Sequence, residues 1–362
     1  MRIVITGASG NVGTALLRVL PAEHDVLGVV RRPPAQQGVY QRANWCSLDL
    51  TGQDGVADLR RVFEGADVVV HLAWGFQPTR DTRYLTQLGV GGTAAVLQAA
   101  HASSVGQLVH MSSVGTYAPG SYGERVDESW PTTGIASSPY SRDKSAAEAL
   151  LDEYEQRLGS AAIPVARMRP GFILQRAAAS GLMRYGLPEY VPMQLVPWLP
   201  LLPLDRRLCI PLVHADDVAE AITRVIDRGA AGPFNVAAEP PVGRRDIAAA
   251  LGALPVHIPS GVLGALVDLS WRGLAATYRP RLARHGIHCA SAGLFARQPR
   301  TGLGSAMVVD GRLGRSPGRR RAPDLHRQPA FAAALDARSS ATRRDRRVDL
   351  IASAALRATT RP

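Results

Sequence analysis

Lysine is almost missing from this chain of 362 residues: of 42 Lys and Arg side chains, only Lys144 is a lysine. The rest are arginine, a bias that fits a GC-rich coding sequence and makes the lone lysine a position where arginine would not serve. Cysteine is scarce too. Cys46, Cys209 and Cys289 are too few and too isolated for a disulfide scaffold or a CxxC-type metal site. No apolar run approaches the roughly 20 residues of a membrane span. The best candidate, Val191–Leu204, is short and carries four prolines, so it reads as a pocket wall or lobe interface rather than a helix. The start, Met1 to Gly7, lacks the pattern of a signal peptide, and the expectation is a cytoplasmic protein.

Acidic charge is unevenly scarce. The formal net charge is +12, yet residues 1–272 carry 24 basic and 25 acidic side chains, whereas residues 273–362 carry 18 arginines and five aspartates. Glutamate does not occur after Glu239. The basic balance therefore belongs to the last ninety or so residues, where hydrophobic periodicity fades and clusters such as Arg319-Arg320-Arg321 stand. One reading is a disordered basic extension that binds nucleic acid. No aromatic interleaving or binding motif supports it, so neither nucleic acid nor membrane is an expected partner. The favoured reading is a slipped reading frame. Codons that fit Ala276–Gly286 and Met307–Arg315 permit, one nucleotide later, peptides with acids, tryptophan and helical patterning.

The first 272 residues are patterned. Met1–Thr6 reads as a buried strand, Gly7-Ala8-Ser9-Gly10-Asn11-Val12-Gly13 as a glycine-rich turn, and Thr14–Leu20 as a helix. In that context the turn is a dinucleotide cradle: glycines admit the pyrophosphate, and the helix N-terminus offers free N–H groups and a favourable dipole. Candidate cofactor contacts are Gly7, Ser9, Gly10, Asn11, Val12 and Gly13. Further strands read at Asp25–Val30, Trp45–Leu48, Asp67–Leu72 and Gln107–Met111, with helices at Val56–Phe63 and Arg83–His101. This alternation predicts an α/β fold, a Rossmann-type doubly wound parallel sheet with the ligand at the carboxyl ends of its strands. After the second strand stand Arg31 and Arg32 and no acid, which favours NADP and leaves NAD open.

Tyr140-Ser141-Arg142-Asp143-Lys144 opens a helix running to about Leu158. Residues four apart share a helix face, so Tyr140 and Lys144 point at one site. The ammonium is expected to lower the phenol pKa and make Tyr140 a general acid/base. Lys144 would also bond both ribose hydroxyls. Ser113, after the fifth strand, would donate to the reacting oxygen. His101, His110, His214 and His257 lack metal-ligand spacing, and no metal is expected. Ile247–Trp271 reads as a helix, a short strand and a second helix.

These motifs together resemble the extended short-chain dehydrogenase/reductase family, the NAD-dependent epimerase/dehydratase group, over roughly residues 1–272. The resemblance rests on Thr6 to Gly13, Asp49-Leu50, His71-Leu72-Ala73, Ser112-Ser113 with Tyr117, Tyr140 to Lys144, Arg169-Pro170-Gly171, His214 to Ala219 and Phe234-Asn235-Val236. It implies that Asp49 and Leu50 flank the adenine, that His71, Leu72 and Ala73 line the cofactor cleft with Pro170 near it, and that Ser113 rather than Ser112 is catalytic. It also implies a cofactor domain over 1–170, rejoined by 205–238, a small C-terminal substrate lobe from 171–204 and 239–272, and an irregular basic tail. Two departures stand out. Gly89 replaces the asparagine of the usual Asn-Val-x-Gly-Thr, and Trp74 follows Ala73 where a small residue is common. The expected activity is an NAD(P)-dependent oxidoreductase or epimerase acting on a nucleotide sugar or related hydroxyl or carbonyl compound. Reduction of a small carbonyl substrate with NADPH is the rival, and a non-catalytic dinucleotide-binding protein with a basic tail is the reading from another class. A small molecule is the expected partner, and a homodimer stays open. Sequencing the gene across codons 268–280 checks the tail: a shifted frame that continues the patterned segment is expected, and an intact frame with no such continuation would refute the slip.

Overall fold

The computed structural model describes residues 1–52, 55–75, 81–121, 123–175 and 200–259, positions 261, 262 and 265, and the pair Val308–Val309. In chain order the elements are β1 (Arg2–Thr6), α1 (Asn11–Val19), β2 (Asp25–Val30), β3 (Asn44–Ser47), α2 (Gly55–Phe63), β4 (Val68–His71), α3 (Thr82–Thr86), a π-helical turn (Gln87–Gly91) and α4 (Gly92–Ala102). There follow β5 (Gln107–Met111), β6 (Arg125–Val126), α5 (Pro139–Leu158), β7 (Val165–Pro170), β8 (Phe172–Leu174), β9 (Leu201–Leu204), β10 (Cys209–Ile210) and β11 (Leu212–His214). The last are α6 (Ala215–Asp227), β12 (Gly232–Val236), β13 (Val242–Gly243), α7 (Arg244–Ala250), β14 (Leu254–His257) and β15 (Val308–Val309).

Seven strands form one sheet in the order β12-β7-β5-β4-β1-β2-β3, every pairing parallel. A parallel sheet covered on both faces needs strands apolar on both sides. β1 meets that demand. Ile3 and Ile5 pack with Leu16 and Leu17 of α1 and Val218 and Ile222 of α6. Val4 packs oppositely, with Leu59 and Phe63 of α2, Val96 and Leu97 of α4 and Leu151 of α5. Strand order reverses between β1 and β4, which opens the crevice where doubly wound folds bind ligands. β12 returns to the sheet edge beside β7, and the Gln107 amide of β5 reaches across to donate to Ala230 O at 2.8 Å. The small pairs β8–β11, β9–β14 and β10–β13 lie outside the seven-stranded sheet.

The expected fold class holds, and β2 and β5 have the bounds read from sequence. Two helices differ. α1 starts at Asn11 rather than Thr14, because Gly13 sits in its first turn against the strand-turn backbone. The helix expected over 83–101 is interrupted by the π turn, where Gly89 and Gly91 weaken the α register. Of the 247–271 segment, α7 starts three residues early and β14 follows; its second helix lies outside the described residues apart from positions 261, 262 and 265. Most of Val191–Leu204 is likewise outside them, as is the basic tail apart from β15, which pairs with β6. Among the described residues no helix is long and apolar enough to cross a membrane.

The tight join of turn and helix can be tested at Gly13. A Cβ there would lie 2.3 Å from the Ala8 carbonyl oxygen, a backbone atom that cannot move alone. Gly13→Ala should therefore cost about 1–3 kcal/mol by urea denaturation; an unchanged midpoint would contradict that packing.

Candidate active site

The glycine-rich turn is fixed by its own backbone. Gly7 has φ +73°, and a Cβ there would lie 2.8 Å from Ala73 N, so both conformation and space call for glycine. Gly7 N donates to Val29 O at 2.8 Å and Gly10 N to Gly7 O at 2.9 Å, which aims the turn across the ends of β1, β2 and β4. Gly10 occupies the N-cap of α1 without a side-chain cap, and the first helical bond there is Thr14 N to Gly10 O. The N–H groups of Asn11, Val12 and Gly13 thus form an uncapped helix terminus beside exposed Gly10 and half-buried Ser9. Such a terminus suits an anion. Val12 is buried in the core and offers only its backbone, while the Asn11 amide donates to Ile173 O at 3.3 Å. The absence of side chains at 7, 10 and 13 fits a dinucleotide pyrophosphate.

Arg31 and Arg32 are exposed at the end of β2. Arg31 donates to the Tyr84 hydroxyl at 2.6 Å. Beyond β3, Asp49 accepts from Thr51 N at 3.0 Å and Thr51 Oγ1 at 2.8 Å. The Thr51 amide first, then its hydroxyl and the Arg31 charge, hold that carboxyl below its ordinary value against partial burial. Leu50 is buried below α4. Leu72 and Ala73 continue β4, their amides turned to Thr6, and Pro170 is buried at the end of β7. These residues lie along strand ends on either side of the crevice.

α5 is anchored to the segment after β5. Ser138 caps it and Pro139 supplies its first position. Ser141 Oγ donates to Gly115 O and Ser145 Oγ to Thr116 O, so the helix start is bonded to the turn that carries Ser113. Ser113 Oγ accepts from Gly115 N at 3.0 Å. Ser113 Oγ and the Tyr140 ring both border Gly115, where a Cβ would stand 3.3 Å from the first and 3.2 Å from Cε1 of the second. One helical turn on, Lys144 is 2% exposed and donates to Met111 O at 2.7 Å. Its Nζ lies 3.3 Å from the centre of the Trp74 ring and 6.0 Å from that of Tyr140. Ser113, Tyr140 and Lys144 are thus brought together. The electrostatics differ from the expectation. Burial raises the Tyr140 phenol above its ordinary value, opposed only by the Ser113 bond, because the Lys144 ammonium is turned to Met111 O and the indole. Burial also pushes Lys144 well down, with the Glu148 charge opposing it.

A charged network missed by motif reading lies behind these residues. Glu148, one turn beyond Lys144, is fully buried and takes a two-pronged contact from Arg169, Nε to Oε1 at 2.8 Å and Nη2 to Oε2 at 2.6 Å. Ser112 Oγ donates to the same carboxylate at 2.6 Å. Burial alone would raise this carboxyl, but the Arg169 bonds and charge, with Ser112 and Arg167, hold it below its ordinary range. Arg169 also donates to the Tyr117 hydroxyl at 3.0 Å, which in turn donates to Asn235 Oδ1 at 2.6 Å. Two signals were available: the 140, 144, 148 spacing, and two arginines in an otherwise apolar strand.

Two buried histidines complete the setting. His71 accepts from Thr6 Oγ1 at its Nδ1 (2.7 Å), and its Nε2 reaches Thr93 Oγ1 at 3.2 Å. Thr93 donates onward to Gly89 O at 2.7 Å, so the bonding pattern assigns the His71 proton to Nε2. The His110 ring lies 5.5 Å from that of His71, tilted by 38°, and among the described residues neither of its ring nitrogens has a hydrogen-bond partner. Burial first, then the Lys144 charge, drives His71 down to about 3 and His110 well below its ordinary value.

The profile of the NAD dependent epimerase/dehydratase family matches residues 3–170. The chain belongs to this family of dinucleotide-dependent, Rossmann-fold proteins. An L-arabinose 1-dehydrogenase (NAD(P)(+)) of Haloferax volcanii is 30% identical over 183 residues, 48% of this chain and 67% of that protein. An uncharacterized protein of Mycobacterium tuberculosis is 29% identical over 269 residues, 73% of this chain but 25% of its own length. The crystal structure of UDP-glucuronic acid 4-epimerase from Bacillus cereus with NAD superposes with a TM-score of 0.55 at 19% identity, covering 71% of this chain and 87% of that one.

Neutral buried histidines carry a pH signature. The unfolded chain protonates histidine near 6.5 and the folded chain does not until about 3 at His71, so the unfolded state binds more protons between those values. Stability is full above about pH 6.5 and falls as pH drops through that window, by about 1.4 kcal/mol per pH unit for each such ring. His110→Leu removes one ring whose nitrogens have no partners. It should flatten the loss of Tm between about pH 6.5 and 4; an unaltered slope would count against a neutral His110.

Proposed function

We propose that this chain is an NAD(P)-dependent oxidoreductase or epimerase that works at a hydroxyl-bearing or carbonyl carbon, with a nucleotide sugar as the leading substrate class. The observation that carries the reading is the convergence of Ser113 and Tyr140 on Gly115 beside buried Lys144, on the same sheet as the Gly7–Gly13 cradle. Gly7, Ser9, Gly10, Asn11, Val12 and Gly13 would hold the pyrophosphate. Asp49 and Leu50 would flank the adenine, Leu72, Ala73 and Pro170 would line the cleft, and Tyr140 and Lys144 would hold the nicotinamide ribose. A bound nicotinamide supplies the hydride donor or acceptor. Ser113 would donate its hydroxyl proton to the substrate oxygen, stabilising charge as it develops there. Tyr140 holds or moves the proton at its phenolic oxygen. Its raised pKa suits the acid role, and Ser113 opposes the rise. Arg31 and Arg32, exposed where a 2′-phosphate would lie, favour NADP. The free thiols Cys46 and Cys209 fit a reducing, cytoplasmic setting.

A second reading, oxidation or reduction of a small sugar or carbonyl compound with released NADP(H), is favoured by Arg31 and by the similarity to the arabinose dehydrogenase. Nicotinamide retained by the purified protein through desalting supports an epimerase; an emptied site that binds NADPH tightly supports the second reading. Under both, Tyr140→Phe should lower turnover by about 10²- to 10⁴-fold while dinucleotide affinity, held mainly by the Gly7–Gly13 cradle and Lys144, stays nearly unchanged. Retained turnover would refute the role of Tyr140.

A further inference from the structure

The indole of Trp74 occupies an unusual place. It leaves the end of β4 and lies over the Lys144 ammonium, 3.3 Å from Nζ to the ring centre, with its edge toward the Tyr140 ring at 6.4 Å between centres. Its other boundary is Gly89, in the π turn between α3 and α4. A Cβ at 89 would stand 2.9 Å from indole Cη2 and Cζ2 and 3.1 Å from Cε2, so the ring rests on the bare backbone of that glycine. A glycine inside a helical segment costs about 1 kcal/mol relative to alanine. Here the neighbour it accommodates is the indole. Lys144 needs that neighbour, since a buried ammonium must be compensated. It has one carbonyl, Met111 O, and the carboxylate of Glu148 four residues on; the face of a tryptophan adds the strongest cation–π partner among side chains.

We infer that Trp74 and Gly89 act as one unit that positions Lys144, the indole holding the ammonium beside Met111 O and the glycine admitting the indole. Trp74 is a positioning residue in this scheme. The placement stands on geometry alone, while its effect on turnover rests on the function proposed for Lys144.

Because Lys144 is the only lysine, lysine labelled with ¹³C at Cε gives a single side-chain NMR signal in the full chain. In the parent protein its ε-protons should be shifted upfield by the indole ring current. That measurement needs no variant, and an unshifted signal overturns the inference. Trp74→Ala and Gly89→Ala should each abolish the upfield shift, the second because the new Cβ displaces the ring, and Trp74→Phe should retain part of it. Each alanine variant should lower kcat/KM by about 5- to 30-fold, the range expected for a cation–π contact of intermediate to strong desolvation. The Trp74→Ala/Gly89→Ala double variant should be no worse than either single one, since both remove the same contact. Additive losses, or a Lys144 signal that ignores Trp74→Ala, overturn the pairing. If the parent has no turnover while the NMR shifts respond as stated, the functional reading fails and the positioning unit stands.

Discussion

The buried contact between Glu148 and Arg169 holds the candidate site in register. A carboxylate and a guanidinium removed from water are costly, and the attraction between them repays that cost only with good geometry and further hydrogen bonds. Both conditions are met: the contact is two-pronged, Ser112 takes part of the remaining carboxylate capacity, and Arg169 spends its other donors on Tyr117 and Glu128 O. The partners come from different elements. Glu148 belongs to α5, which also carries Tyr140 and Lys144; Ser112 precedes Ser113; Arg169 ends β7 beside Pro170. Helix, turn and strand therefore cannot shift independently without stranding a buried charge. Arg167 extends the network outward to Asp152 and Glu155, where water takes over.

Around that contact the charges are arranged sparingly. Lys144 faces one carboxylate four residues away, and the two histidines near it are neutral, which removes like-charge repulsion at the cost of two buried imidazoles. His71 has hydrogen bonds to two threonines and thereby joins the ends of β1, β4 and α4; His110 has no such compensation. The Tyr140 phenol is raised by burial and opposed by Ser113, so burial favours its protonated form.

Much of this was legible in local patterns. The β1–turn–α1 run, the bounds of β2 and β5, and the facing of Tyr140 and Lys144 follow from periodicity, glycine placement and helical spacing. What was not legible is long-range. Nothing local pairs Glu148 with Arg169, although a carboxylate on the Tyr140–Lys144 face and the alternating Arg167 and Arg169 in an apolar strand were traces of it. The π turn was hidden because Gly89 and Gly91 read as weak helix, and their effect depends on the Trp74 ring lying against one of them. The expected direction of the Tyr140 pKa was wrong for a related reason: sequence spacing puts an ammonium near the phenol, while packing decides which way it points.

The edge position of β12 bears on biosynthesis. Asn235 accepts from Tyr117 and donates its backbone amide to Glu128, so the wall behind Ser113 is finished by a residue nearly a hundred positions later than Tyr140. On the ribosome the first six strands of the sheet, through β7, emerge before Asn235, the acceptor of the Tyr117 hydroxyl. The last strand of the sheet to be synthesised, residues 232–236, thus also supplies the last hydrogen-bond acceptor of the buried network.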